Sequence, residues 1–253
     1  MENIMHHLNK TLSVLALTLA VGSAEAAVAT ASATINWSTF NVRFIAIGAN
    51  PAPSITWSGQ NAWVDAATQV PADSQSDWVG DWTNPLAVTA NPSGSTTSSA
   101  SANVELLTSF TYDSNLSWSS QAWSSAYRGG DFSVTGSGIL LFSVDYSLTA
   151  SLTAPGDSAS ASANLYAYRT GSNFSASAYD SVYVGRWNAN QSPLNVNDTL
   201  HLALFVQDGQ NYNFTSSAYS SASAVPVPSA VWLFLSAVVG FLGVNRHKRA
   251  LSV

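Results

Sequence analysis

The sequence predicts an all-β fold, an antiparallel β-sandwich of jelly-roll-like winding, set between two targeting segments. Three observations carry that expectation. Between positions 27 and 224 apolar residues recur with period two, as in Leu200, Leu202, Leu204 and Val206, and no stretch sustains the 3.6-residue period of an amphipathic helix. Gly, Pro, Asn and Asp punctuate the runs at short intervals. Eight or more runs of this kind favour two antiparallel sheets packed face to face.

In chain order, strands are expected at 33–47, 54–57, 87–89, 102–112, 131–135, 138–152, 158–168, 181–187 and 199–206. Leu140, Phe142, Val144 and Tyr146 share one face of the 138–152 run, and Pro155-Gly156-Asp157 turns it into the next. Asp208-Gly209 makes a second turn, ahead of Tyr212 and Phe214. Ser and Ala alternate in Ser99-Ala100-Ser101-Ala102, in Ser160-Ala161-Ser162-Ala163 and again in 217–223, which in a strand puts Ala on one face and Ser on the other. The first two copies are followed by Asn103-Val104 and Asn164-Leu165, but six low-complexity residues are a thin basis for a duplication.

Residues 1–26 read as a secretory signal peptide. Leu12 to Val21 is an apolar run broken by Ser13 and Thr18, too short to span a membrane, and Ala24-Glu25-Ala26 supplies the small residues of a cleavage site before Ala27. At the other end, Val225-Pro226-Val227-Pro228-Ser229 leads into an apolar stretch from Ala230 to Val244, followed by Arg246, His247, Lys248 and Arg249. A helix over 229–244 reaches about 24 Å, slightly less than the ~30 Å hydrocarbon core. Snorkelling by Arg246 and an interfacial Trp232 cover the difference. The basic cluster marks the cytoplasmic side and so places 27–224 outside the inner membrane.

Residues 225–249 resemble a PEP-CTERM sorting signal, in its Val-Pro-x-Pro variant. Val227 stands where the hallmark has Glu, and Ala250 to Val253 extend past the basic cluster. The resemblance implies an exosortase as partner, processing near Val225, Pro226, Val227, Pro228 and Ser229. It also implies transient anchoring in the inner membrane by 225–249, then a place at the cell surface or in an exopolysaccharide matrix.

Only 9% of the residues are charged, against roughly 25% in an average soluble domain. Between 27 and 224 the cations are Arg43, Arg128, Arg169 and Arg186, facing twelve acids and no lysine. Nucleic acid is therefore not an expected partner, because phosphate neutralisation needs clustered Lys and Arg. The absence of cysteine removes disulfides, thiolate nucleophiles and Cys-based zinc sites. His201 is the one histidine of this region; it lies in a predicted strand beside Leu200 and Leu202 and reads as an ordinary strand-face residue. No metal-ligand, nucleophile-elbow or phosphate-loop motif occurs, and no spacing nominates a carboxylate pair for glycoside hydrolysis.

Aromatic residues give the better functional hint. Trp57, Trp63, Trp78 and Trp82 fall within one short segment together with Asp65, Asp73, Asp77 and Asp81. The favoured reading places the four tryptophans in the sandwich core. The alternative is a glycan-binding surface, in which indole stacks on sugar C–H faces and carboxylates accept from hydroxyls. The spacing of Asp73, Asp77 and Asp81 gives a weak Ca²⁺ signal without an EF-hand loop, so no cofactor is expected. The functional expectation is a non-catalytic exported surface or matrix protein. A carbohydrate-binding module is the alternative, and a secreted glycan-active enzyme the weaker one.

Overall fold

The computed structural model describes residues 28–47, 52–92, 94–114, 120–153, 157–185 and 188–224. They form twelve strands: β1 (Ala29–Ala46), β2 (Ser54–Gln69), β3 (Ala72–Val79), β4 (Leu86–Ala90), β5 (Thr96–Ala102), β6 (Leu106–Asp113), β7 (Ala122–Thr135), β8 (Gly138–Leu152), β9 (Ser158–Arg169), β10 (Ser175–Val184), β11 (Leu194–Val206) and β12 (Asn211–Ser223). Among the described residues the only helical element is a 3-10 turn, Ala189–Gln191, and no helix is long and apolar enough to cross a membrane. The expected cleavage residues Ala24, Ala26 and Ala27 lie outside the described residues. So do Val225, Pro226, Val227, Pro228, Ser229, Trp232, Arg246, Lys248 and Arg249.

The strands make two six-stranded antiparallel sheets, a β-sandwich. The first runs β11-β8-β1-β6-β5-β4 and the second β10-β9-β12-β7-β2-β3. The sheets face one another strand for strand: β10 lies against β11, β9 against β8, β12 against β1, β7 against β6, β2 against β5 and β3 against β4. The first and last strands are thus central, each with a hydrogen-bonded neighbour on both sides.

Alternation decides which residues enter the core. Leu140, Phe142, Val144, Tyr146, Leu148 and Ala150 of β8 are buried while the residues between them face outward, as the period-two pattern requires. The core is graded along the strands. Near the chain ends it is built of Ala29, Ala31, Ala159, Ala161 and Ala222. There Ser109 of the first sheet meets Ser220 of the second at 2.6 Å and Ser124 at 2.7 Å. Two serine side chains cannot bridge the usual ~10 Å between sheets, so the backbones approach more closely here. Farther along, Trp37, Phe40, Phe132, Phe142 and Phe214 fill the space.

Arg128, 1% exposed, lies inside this aromatic region. One terminal nitrogen, Nη2, donates to the carbonyls of Trp82 (2.8 Å) and Asn103. Its charge sits 5.0 Å over the Trp37 ring. Burial lowers its pKa to about 10, which leaves it a cation at neutral pH.

Several expectations need correction: the 131–135 run is only the end of β7, and β10 begins at Ser175, six residues before the expected 181. The 102–112 run is two strands, because Asn103 accepts from the amides of Glu105 and Leu106, both at 2.9 Å, and turns the chain between β5 and β6. The 54–57 run is only the start of β2, which continues through a bulge between Trp57 and Gly59 to Gln69. β3 has no counterpart among the expected strands; it is an edge strand of exposed Ser, Gln and Asp with little apolar alternation. The Asp208-Gly209 turn does form, with Gly209 at φ 71°, where a side chain is disfavoured.

Candidate functional site

The outer face of the second sheet exposes Trp63, Trp78, Tyr179, Tyr183 and Tyr219, while the first sheet exposes Phe44, Phe110 and Phe205. Register sets the outward residues of the second sheet in rows across β3, β2, β7, β12, β9 and β10. One row is Trp78, Trp63, Tyr127, Ser217, Asn164 and Tyr179. Ser76, Asp65, Ser125, Tyr219, Ser162 and Ser181 form the next, toward the chain ends. Trp123 and Tyr183 close a third row, with Ser221 and Ser160 between them. Aromatic rings therefore alternate with hydroxyl and amide groups on a solvent-facing sheet.

The sequence-predicted tryptophans divide into two pairs. Trp57 and Trp82 pack against the core, with ring centroids 4.8 Å apart in an edge-on arrangement. The Trp82 indole N–H donates to the carbonyls of Gly129 (2.8 Å) and Asn61 (3.1 Å). Trp63 and Trp78 are direct cross-strand partners and are exposed, at 42% and 64%. Trp63 also stacks on Tyr127, centroids 5.3 Å apart and planes 15° apart. Core packing thus holds for Trp57 and Trp82 but not for Trp63 and Trp78. The difference is one of parity: Trp63 alternates with buried Ala62 and Val64, so its side chain falls on the outer face.

The acids of the same segment act separately. Asp65 lies on the outer face beside Ser125. Asp73 accepts from the Asn91 amide at 2.7 Å, and that bond, with one from Gln75, holds its carboxyl below the ordinary 3.8. Asp77 accepts from the adjoining Trp78 amide at 2.8 Å. Asp81 accepts from the amides of Asn84 (2.7 Å) and Thr83 (2.8 Å), and these lower its pKa as well. Among the described residues no group of three or more His, Asp or Glu is placed to hold a metal ion. His201 is exposed on β11, in the other sheet.

No family model matches this chain. Neither the curated proteins nor the solved structures contain a match.

Sequence reasoning missed Tyr127, Tyr179, Tyr183 and Tyr219. The available signal was their even spacing among Ser and Ala, as in the four-residue step from Tyr179 to Tyr183 of β10, which assigns them to one strand face. Chemically the face can stack on flat apolar surfaces and exchange hydrogen bonds through Ser, Thr and Asn.

Proposed function

We propose that this chain is an exported, non-catalytic surface or extracellular-matrix protein that contacts exopolysaccharide through the outer face of its second sheet. The observation that carries the reading is the exposed Trp78–Trp63 pair continued by the stacked Tyr127. Large rings left in water on a regular sheet cost hydration free energy unless a partner covers them, and Trp is a frequent contact anchor. The signal-like residues 1–26 and the Val-Pro-Val-Pro segment followed by an apolar stretch and a basic cluster support export and exosortase processing. The domain is first anchored outside the inner membrane and then passes to the cell surface or matrix. The jelly-roll-like winding belongs to the same reading. It is supported by the repeated crossing of the chain between sheets, at β1 to β2, β3 to β4, β6 to β7, β7 to β8, β8 to β9, β10 to β11 and β11 to β12.

The test is retention of the purified full chain on exopolysaccharide. Trp63→Ala and Trp78→Ala are each expected to weaken retention about tenfold, the loss of one aromatic anchor, with circular dichroism unchanged. Retention equal to the unaltered protein in both variants refutes the reading.

A further inference from the structure

We propose that a single uncharged polysaccharide chain lies along the strand direction of the second sheet, in a trough floored by β12 and β9. Its walls are aromatic and stand on β7 and β10. The inference rests on the glycan-contact reading above and adds the position, direction and charge class of the ligand.

Register builds the trough. In one row Tyr127 and Tyr179 flank Ser217 and Asn164, and in another Trp123 and Tyr183 flank Ser221 and Ser160. The walls are three strand intervals apart, about 14 Å at ~4.8 Å each, and the two rows are four residues apart, again about 14 Å. Tyr179 and Tyr183 stand on an edge strand and are 64% and 57% exposed.

Side chains around Ser125 cover the β7 side of the trough. Ser125, between Trp123 and Tyr127, is 5% exposed although it shares the outer face, and Ala67 beside Trp123 is 4% exposed. The floor, by contrast, is open: Ser217, Asn164, Ser221 and Ser160 are all solvent-accessible. Tyr219 rises from β12 between the two rows, 36% exposed, with Ser125 and Ser162 as its row neighbours. A sugar ring can rest its C–H face on Tyr219 while its hydroxyls exchange hydrogen bonds with the serines around it.

Charge selects the class of chain. Arg128, the arginine within β7, is buried between the sheets, and Arg169 at the end of β9 is bonded to Ser172 and Gln207. Among the described residues the outer face presents the carboxylates of Asp65 and Asp131 and no lysine or arginine. A uronate or sulfate would find repulsion there and no compensating cation among the described residues, whereas a neutral chain loses nothing.

The experiment uses the full chain on a glycan array carrying neutral, uronate-bearing and sulfated polysaccharides, followed by calorimetry with an oligosaccharide length series of the best binder. A neutral glycan is expected to give the strongest binding, with affinity rising along the series until the trough is filled. Tyr179→Ala and Tyr219→Ala are expected to lose at least tenfold, Tyr179→Phe to keep most of the affinity, and the denaturant unfolding midpoint to stay unchanged. If Tyr179→Ala and Tyr219→Ala bind normally while Trp63→Ala does not, the trough is wrong and the Trp63–Trp78 contact stands. Preference for a charged glycan overturns the charge argument. Absence of binding to every glycan removes the underlying reading itself.

Discussion

Asp81 shows how one side chain can organise a loop. Its carboxylate gathers the amides of Thr83 and Asn84 and the side chains of both residues, at 2.7 to 3.0 Å, just before Trp82 returns to the core. These bonds favour the ionised form, so the folded pKa lies below 3.8 and the unfolded value does not. The contribution is therefore complete above pH 3.8 and is lost as pH falls through the folded value. Asp73, tied to Asn91, behaves with the same sign. Carboxyl NMR titration is expected to place both midpoints below 3.8, with faster amide exchange at Thr83 and Asn84 once Asp81 is protonated. A midpoint at or above the ordinary value for Asp81 contradicts the described turn.

At the scale of elements, β7 packs tightly against β2. Gly130 lies on its inner side, where an added Cβ would meet the Gly59 carbonyl oxygen and the Trp57 ring, each at 2.9 Å. The backbone oxygen at the β2 bulge cannot swing away as a flexible side chain can, so Gly130→Ala is expected to cost about 2 kcal/mol as overpacking. Denaturant unfolding measures this; an unchanged midpoint means that Trp57 does not pack on β7 as described. How far the elements were legible follows from the same local chemistry. β8 and β11 were readable because Leu140, Phe142, Leu202 and Leu204 each alternate with outward residues. β3 was not, because an exposed edge strand needs no apolar face, and its pairing with β2 supplies the order that its own sequence lacks. The site was half legible. Trp63 and Trp78 stand close in sequence, but Tyr127, Tyr179 and Tyr219 join them only through the register of strands far apart in the chain.

For the whole molecule, the two ends of the described region leave from one pole of the sandwich. Ala29 pairs with Asp113, and the buried Asp113 carboxylate accepts the Ala224 amide at 2.9 Å and the hydroxyls of Thr96 and Ser120. Strand order is thus held up to Ala224, and the proposed exosortase cut falls beyond it. Mass spectrometry of extracellular protein is expected to find a chain that starts near Ala27, ends after Ala224 and lacks Trp232 to Arg249. Replacing Pro226 and Pro228 by Ala is expected to block that processing, since helix could then extend upstream of Ser229. Extracellular protein that keeps Trp232 to Arg249, or equal release from an exosortase-null strain, leaves the segment as an anchor alone. The central place of β12 has a mechanical consequence. Its ladders to β7 and β9 lie perpendicular to the strand. A pull on Ala224 along the strand axis therefore shears both ladders at once and does not peel them bond by bond.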